Sequence, residues 1–190
     1  MKVGIVGVQG AVSEHCDIVR NLGHEPVWVT RPDKLQDVRA IIIPGGESTT
    51  ISKLLQTTGL FERIGKLGEE GLPIYGTCAG LILLAKKGDG QVESTGQKLL
   101  GLMDMEISRN AFCRQRQSFE EKLDIEGVAK NFPCVFIRAP AITKVWGKCK
   151  VLAKKGGFIV AAEQGNLFAT AFHPELSGDT RIHEYFLSKA

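Results

Sequence analysis

The sequence predicts an α/β fold, in which a doubly wound, mostly parallel sheet is flanked by helices and gains additional antiparallel strands in its second half. In the first half, short apolar runs rich in β-branched residues alternate with helical patterns. These runs are continuous rather than alternating in polarity, which is typical of strands buried on both faces. From residue 99 onward, short alternating stretches replace the helical patterns, and they predict antiparallel strands.

Four strands are predicted in the first half, over residues 2–8, 26–30, 40–43 and 73–77. A helix is expected over 11–21, and Gly23 ends it. Its inward-facing residues are predicted to be Val12, Ile18, Val19 and Leu22.

A second helix follows the third strand, because Ile51, Leu54 and Leu55 recur at helical spacing. Ser48 or Thr49 is expected to cap this helix. A third helix is expected over 78–86, directly after the fourth strand.

The second half contains predicted strands over 103–107, 119–125, 134–137, 151–153, 158–162 and 167–171. A helix over 179–188 closes the chain. The sequence has no internal repeat and no linker, so we expect residues 1–190 to form one domain.

The composition is that of an ordinary soluble globular protein, with 43% hydrophobic and 24% charged residues. The net charge is +3 and no long basic run occurs, so nucleic-acid binding is not indicated. No apolar run reaches membrane-spanning length, and no signal-peptide pattern opens the sequence, so no membrane partner is expected.

The five cysteines are an odd number without a CxxC pair, which argues against a disulfide framework and a structural zinc site. Four of them are interpreted as small hydrophobic residues in a reducing, cytoplasmic setting: Cys16, Cys113, Cys134 and Cys149. The four histidines are too scattered for a local metal motif, so no metal is expected. The glycines at positions 4, 7 and 10 form GxxGxxG rather than GxGxxG, so no dinucleotide cofactor is expected either.

Cys78 is the predicted nucleophile. It lies between Gly76 and Gly80, where an apolar strand passes into an apolar helix. A nucleophile at such a tight turn needs small neighbours, because a Cβ on either side would clash. The N-terminus of the helix favours the thiolate. The alternative is a core cysteine on a buried strand.

A pair of adjacent glycines, Gly45-Gly46, lies in the segment that follows the third predicted strand. Open α/β sheets bind ligands at the carboxyl ends of their strands, and paired glycines let backbone N–H groups approach an anion. The alternative is a plain strand-to-helix turn with capping residues.

His173 and Glu175 follow the strand predicted over 167–171. Residues i and i+2 of an extended segment project to one side, and Pro174 is expected to hold that extended form. A histidine oriented by a carboxylate, together with a cysteine, is the arrangement of nucleophilic catalysis. The alternative is a satisfied, partly buried histidine.

Three motifs together resemble those of the class I, triad-type glutamine amidotransferases, which have a flavodoxin-like fold: Gly-Thr-Cys-Ala-Gly at 76–80, Pro-Gly-Gly-Glu-Ser-Thr-Thr at 44–50 and Phe-His-Pro-Glu at 172–175. Segments 8–15, 108–112 and 135–140 narrow the resemblance to the family of glutaminase subunits of pyridoxal 5′-phosphate synthase.

The resemblance implies that Cys78, His173 and Glu175 form the catalytic triad that hydrolyses L-glutamine through a thioester. Ala79 and Gly46 are the implied oxyanion-hole donors. The implied substrate-binding residues are Gly46, Glu47, Ser48, Arg109, Ile137 and Arg138.

The resemblance also implies a partner, a (β/α)8-barrel synthase subunit that receives the ammonia in a hetero-oligomer. A peptide flip at Gly45-Gly46 is a hypothesis for gating by that partner, and Gln9, Gly10 and the first helix are predicted to contribute to the interface. Two alternatives stay open: another cysteine hydrolase on a related α/β fold that acts without a partner, and a non-catalytic binding module.

Overall fold

The computed structural model describes residues 1–112 and 118–190, so the prediction for Cys113 lies outside the described residues. In chain order the strands are β1 (Lys2–Val6), β2 (Glu25–Val29), β3 (Val38–Ile43), β4 (Ile74–Thr77), β5 (Ala85–Lys87), β6 (Met103–Ser108), β7 (Phe119–Ile125), β8 (Ala129–Phe136), β9 (Ala141–Val145), β10 (Lys150–Lys155), β11 (Phe158–Gln164) and β12 (Leu167–Thr170). The helices are α1 (Val12–Asn21), α2 (Ser48–Thr58), α3 (Leu60–Glu69), α4 (Ala79–Leu84), α5 (Gly90–Thr95) and α6 (Arg181–Leu187). Short 3₁₀ turns cover Pro32–Leu35 and Pro174–Leu176.

The main sheet has the strand order β2-β1-β3-β4-β12-β11-β9-β6-β5, with β10 paired to β11. The first five strands of this order are parallel to one another. Antiparallel pairing begins at the contact of β12 with β11 and continues to β6, while β5 is again parallel to β6. Strands β7 and β8 form a separate antiparallel ribbon. The predicted fold class is therefore confirmed.

The strand β12 departs from the expectation for the second half, because it pairs in parallel with β4. This insertion places the strand before His173 beside the strand before Cys78, with Thr170 opposite Thr77. The C-terminal part of the chain thus completes the centre of the sheet rather than extending its edge.

The structure contains four elements that the sequence did not predict: α3, α5, β5 and β9. The helix expected over 78–86 ends at Leu84, because Ala85–Lys87 pairs with β6 instead. Helix α3 was not predicted because Gly65 and Gly68 interrupt its helical pattern. A Cβ at Gly68 would overlap the side chain of Leu102, so close packing there explains the glycine.

The predicted N-cap of α2 is wrong: Glu47 occupies that position, not Ser48 or Thr49. Its carboxylate accepts hydrogen bonds from the N–H groups of Thr49 at 3.0 Å and Thr50 at 2.7 Å. The hydroxyl of Ser48 instead donates to Gln97 Oε1 at 3.1 Å. A carboxylate cap also matches the positive end of the helix dipole.

The core lies on both faces of the parallel strands, and β4 is buried along its whole length. Of the face predicted for α1, Val12 and Val19 are buried, whereas Ile18 and Leu22 are partly exposed. His15 lies on that face and is fully buried, which the sequence pattern did not indicate. Within residues 1–112 and 118–190, no helix has both the length and the apolar character needed to cross a membrane.

Candidate active site

The site forms where three adjacent parallel strands end. Strand β3 leads into the Gly45-Gly46 loop, β4 leads into Cys78, and β12 leads through Ala171 and Phe172 to His173. These strands are neighbours in the order β3-β4-β12. Because the carboxyl ends of parallel strands share one edge of a sheet, the three segments meet there.

Cys78 occupies a sharp turn between β4 and α4. Its φ of 50° and ψ of −100° lie in a region that residues with a Cβ seldom adopt. A Cβ at Gly76 would overlap the backbone of Gly80, and one at Gly80 would overlap the carbonyl oxygen of Ile43. The Cys78 N–H donates to the Thr170 carbonyl at 2.8 Å, which ties the turn to β12. The flanking glycines are thus required by packing.

His173 and Glu175 are in direct contact, with 2.7 Å between His173 Nδ1 and Glu175 Oε1. The expected extended geometry is wrong, because Pro174–Leu176 forms a 3₁₀ turn. The proline fits the first position of that turn, where its missing N–H leaves no hydrogen bond unmade. The N–H of His173 donates to the Val135 carbonyl of β8 at 2.8 Å, so the ribbon β7–β8 fixes the histidine backbone.

The imidazole of His173 is held in its protonated form. Burial disfavours the charged ring, but hydrogen bonds and charge interactions with Cys78 and Glu175 outweigh it and raise the pKa of His173 to about 10. A charged imidazole between a sulfur and a carboxylate is the arrangement of an activated cysteine nucleophile.

The Gly45-Gly46 loop lies against the side chains of both Cys78 and His173. A Cβ at Gly45 would overlap the ring of His173 and come within 3.3 Å of Cys78 Cβ. The Gly45 carbonyl accepts a hydrogen bond of 3.4 Å from the Ala11 N–H. Because the peptide is trans, the Gly46 N–H points away from Ala11.

The first loop of the chain supports the same segment. Gln9 Oε1 accepts the Glu47 N–H at 2.9 Å, and a Cβ at Gly10 would overlap the Gly45 carbonyl oxygen. Gln9 and Gly10 therefore fix the position of the glycine loop from the side opposite His173.

A cavity of about 390 Å³ opens in front of Cys78. The predicted site residues that line it are Gly46, Glu47, Ser48, Cys78, Ala79, Arg109 and Arg138. Ile82, Asn110 and Pro140 also line it and were not predicted. Ile137 is not among the lining residues, although it precedes Arg138 in the chain.

Arg109 is held in the cavity by two acidic side chains. Its Nη2 donates to Glu47 Oε1 at 3.1 Å, and its backbone N–H donates to Asp89 Oδ2 at 2.8 Å. Burial disfavours the Glu47 carboxylate, but hydrogen bonds from Thr50 and Thr49 outweigh it and lower its pKa to about 2. A permanent negative charge therefore anchors the guanidinium, which presents its remaining donors to the cavity.

Arg138 differs from Arg109, because it is exposed and has a left-handed backbone, with φ of 45°. It follows β8 directly, so the ribbon β7–β8 places it at the cavity rim. Asp89 and Gln97 also support the site, and no sequence signal pointed to either of them.

Known proteins resemble this chain both in sequence and in structure. The family model described as the SNO glutamine amidotransferase family matches residues 5–190.

The chain belongs to the SNO glutamine amidotransferase family.

Individual relatives agree with this assignment and with the family predicted from the motifs. A protein of Thermococcus onnurineus named pyridoxal 5′-phosphate synthase subunit PdxT is 54% identical, over 100% of this chain and 99% of the relative. A Methanosarcina mazei protein with the same name is 51% identical, over 100% and 98% of the two chains. A crystal structure described as a glutamine amidotransferase superposes with a TM-score of 0.92 at 42% identity, covering 98% of this chain and 97% of that one. A PurLQS structure from Thermotoga maritima, at 20% identity and a TM-score of 0.63, shares the fold.

Proposed function

We propose that this protein is the glutaminase subunit of a pyridoxal 5′-phosphate synthase, which hydrolyses L-glutamine to L-glutamate and ammonia. The observation that carries the proposal is the contact series that starts at Cys78, which lines the cavity together with Arg109 and Arg138, and runs through His173 to Glu175. Family membership and the name shared by the full-length relatives support the same activity.

The triad geometry accounts for the chemistry. The Cys78 thiolate attacks the amide carbon of glutamine, and the C=O π electrons move to the oxygen. Glu175 holds Nδ1–H of His173, so the opposite ring nitrogen faces the sulfur. Protonated His173 gives its proton to the leaving nitrogen, and ammonia departs. Water, deprotonated by His173, then cleaves the thioester to glutamate and regenerates Cys78.

Two backbone N–H groups are proposed as oxyanion donors. Ala79 is the first residue of α4, so its N–H has no acceptor within the helix. The Gly46 N–H is the second proposed donor, since Gly46 lines the cavity and its N–H points away from Ala11. Losing one such donor costs about 10²–10³ in rate.

The charged termini of glutamine need matching partners. Arg109 and Arg138 are proposed to bind the α-carboxylate, and Glu47 and Ser48 the α-amino group. Ile137 is proposed to contact the substrate from beside Arg138. A cavity of about 390 Å³ is of the size that accommodates small metabolites.

The synthase partner is proposed to be a (β/α)8-barrel subunit that takes up the ammonia. Gln9, Gly10 and α1 are proposed as part of its docking surface, because Gln9 and Gly10 lie against the Gly45-Gly46 segment and α1 begins two residues later. A peptide flip at that loop would break the 3.4 Å bond to Ala11, turn the Gly46 N–H toward Ala11 and turn the Gly45 carbonyl to the opposite side, which provides a physical route for gating. Residues 1–190 are proposed to form one domain, and the protein is proposed to act in the cytoplasm. The free thiols of Cys16, Cys134 and Cys149 are compatible with that compartment.

The deciding experiment measures ammonia release from L-glutamine by the purified chain, alone and with a synthase subunit. We expect a large increase with the partner and complete loss in Cys78→Ser, because a serine hydroxyl is far less acidic than a thiol and does not form an anion beside the protonated His173. Partner-independent hydrolysis of other amides or esters would favour the rival cysteine hydrolase. Absence of any Cys78-dependent activity would favour the binding module.

A further inference from the structure

The carboxylate of Glu175 has a second oxygen that the proposed mechanism leaves unused. Oε1 binds His173, but Oε2 is buried and has no hydrogen-bond partner among the described residues. His15 of α1 lies next to it, with 3.6 Å between His15 Nε2 and Oε2. Both side chains are fully excluded from solvent. A shift of a few tenths of an ångström would close this gap into a hydrogen bond.

A second buried histidine lies behind the first. His15 Nδ1 and His183 Nε2 of α6 are 2.9 Å apart, which is an ordinary hydrogen-bond distance. Thr77 Oγ1 lies 3.5 Å from His15 Nε2. The contacts therefore run from Cys78 through His173, Glu175 and His15 to His183, and they join the segments that follow β4 and β12 to α1 and α6.

The proton positions in this series follow from the acceptors. A carboxylate oxygen only accepts, so satisfying Oε2 requires the proton of neutral His15 on Nε2. Bare Nδ1 of His15 then needs a donor, which is the Nε2–H of His183. The opposite arrangement would leave both Oε2 of Glu175 and a buried Nδ1–H of His183 unpaired, which costs more than one unpaired ring nitrogen.

Both outer histidines are neutral in the fold. Burial and the neighbouring rings of His183 and His173 hold the pKa of His15 well below its usual value. Burial lowers the pKa of His183 to about 4. Tyr75 of β4 is another titratable group close enough to interact with the Glu175 charge. Burial raises the pKa of Tyr75 well above its usual range.

We propose that His15 is a positioning residue of the triad, whose Nε2–H holds Glu175 Oε2 while His183 fixes the required tautomer. This inference rests on the proposed function. With one oxygen bound to His173 and the other to His15, the carboxylate cannot rotate, so the imidazole stays aligned with Cys78. The four histidines are scattered along the sequence, and the fold brings three of them together.

Two substitutions of His15 separate positioning from packing. In His15→Gln the amide nitrogen reaches the place of Nε2 and can donate to Glu175. In His15→Asn the shorter amide reaches the place of Nδ1 and can contact only His183. Both replace a buried ring by an amide, so we expect similar losses of thermal stability. His24→Gln is the control, because His24 contacts the N-terminal ammonium instead.

We expect His15→Asn to lower kcat for ammonia release, measured with the synthase subunit, by about 10- to 100-fold at unchanged KM. His15→Gln should restore most of that loss. Equal kcat in the two variants, whether both low or both normal, would overturn the proposal, because a packing role does not distinguish the two amides.

Two further measurements do not depend on glutamine. The alkylation rate of Cys78 by iodoacetamide, followed by peptide mass spectrometry, should fall at pH 7 in His15→Asn and not in His15→Gln. The same pattern in a protein without glutaminase activity would uphold the positioning role while refuting the proposed function. In the unsubstituted protein, ¹⁵N chemical shifts of the imidazoles should place the His15 proton on Nε2, and a proton on Nδ1 would overturn the proposal even if the variants do not fold.

Discussion

Individual residues at the turn around Cys78 show how little freedom the backbone has. Gly80 faces the Ile43 carbonyl oxygen so closely that no side chain fits between them, and a carbonyl in the centre of a sheet cannot move aside. Cys78 itself has a positive φ. Strain of this kind persists only where the surrounding strands hold it.

Replacing Gly80 tests that constraint. We expect Gly80→Ala to lower the free energy of unfolding by about 3 kcal/mol, because the added Cβ displaces backbone rather than a side chain. Gly90→Ala is the matched control at the start of α5, where a Cβ meets open space, and it should stabilise by about 0.4–1 kcal/mol. Urea denaturation measures both, and similar effects in the two variants would contradict the explanation.

Arg109 gives a second prediction at this scale. We expect Arg109→Gln to raise KM for glutamine about 10- to 100-fold with a smaller effect on kcat, since a charge-assisted hydrogen bond contributes about 1.5–3 kcal/mol. Arg31→Gln is the control, because Arg31 is exposed and pairs with Asp33. Initial rates over a range of glutamine concentrations separate the two constants. A fall in kcat alone would remove Arg109 from substrate binding.

At the level of secondary-structure elements, the side chain of Glu47 at the start of α2 has two roles. Glu47 caps the helix and anchors Arg109, so the end of the helix and the substrate cavity share one carboxylate. Ser48 or Thr49 was the cap predicted from the sequence, because hydroxyl side chains are common at that position. The geometry of the glycine loop decides otherwise, since it leaves Glu47 in the extended conformation of an N-cap.

Removing this cap should weaken the helix. We expect Glu47→Ala to reduce the free energy of unfolding by about 1 kcal/mol, the usual loss of an N-cap. Glu14→Ala provides the comparison, because Glu14 lies in the first turn of α1 and does not cap it. Chemical denaturation at pH 7 gives both values. A Glu47→Ala effect no larger than that of Glu14→Ala would show that the backbone alone holds the start of α2.

Some secondary-structure elements could be predicted from the sequence and others could not. Continuous apolar strands such as β1 and β3 were predictable because burial on both faces leaves a clear pattern. Helix α3 and strand β9 were not, because α3 has glycines in its pattern and β9 depends on pairing with β6 and β11. The triad motifs were visible, yet the 3₁₀ turn at Pro174 was not, since it depends on the ribbon behind it.

The molecule as a whole encloses two neutral histidines, His15 and His183, and this affects its stability in acid. Just below pH 6.5 the unfolded chain binds protons at these rings, whereas the folded state keeps them neutral until the pH is well below that value. The unfolded state then binds more protons, so stability falls as the pH decreases.

We expect the free energy of unfolding to fall between pH 6.5 and pH 5, with about 2 kcal/mol of the loss arising from His183, whose folded pKa is about 4. His173 contributes a smaller change of the opposite sign, because its raised pKa keeps it protonated in the fold while the unfolded ring gains only about half a proton in this window. His183→Gln should flatten the slope, and His24→Gln should leave it unchanged. Equal slopes in all three proteins would refute this account.

The insertion of β12 between β4 and β11 has a consequence for synthesis on the ribosome. Cys78 emerges early, but its base lies beyond a strand that comes near the end of the chain. At ordinary rates of translation, roughly 5–20 s pass between the two. During that interval the nascent chain carries a thiol with neither the histidine nor the carboxylate that activates it. If Cys78, His173 and Glu175 act together as proposed, a nascent chain that ends before β12 cannot consume glutamine.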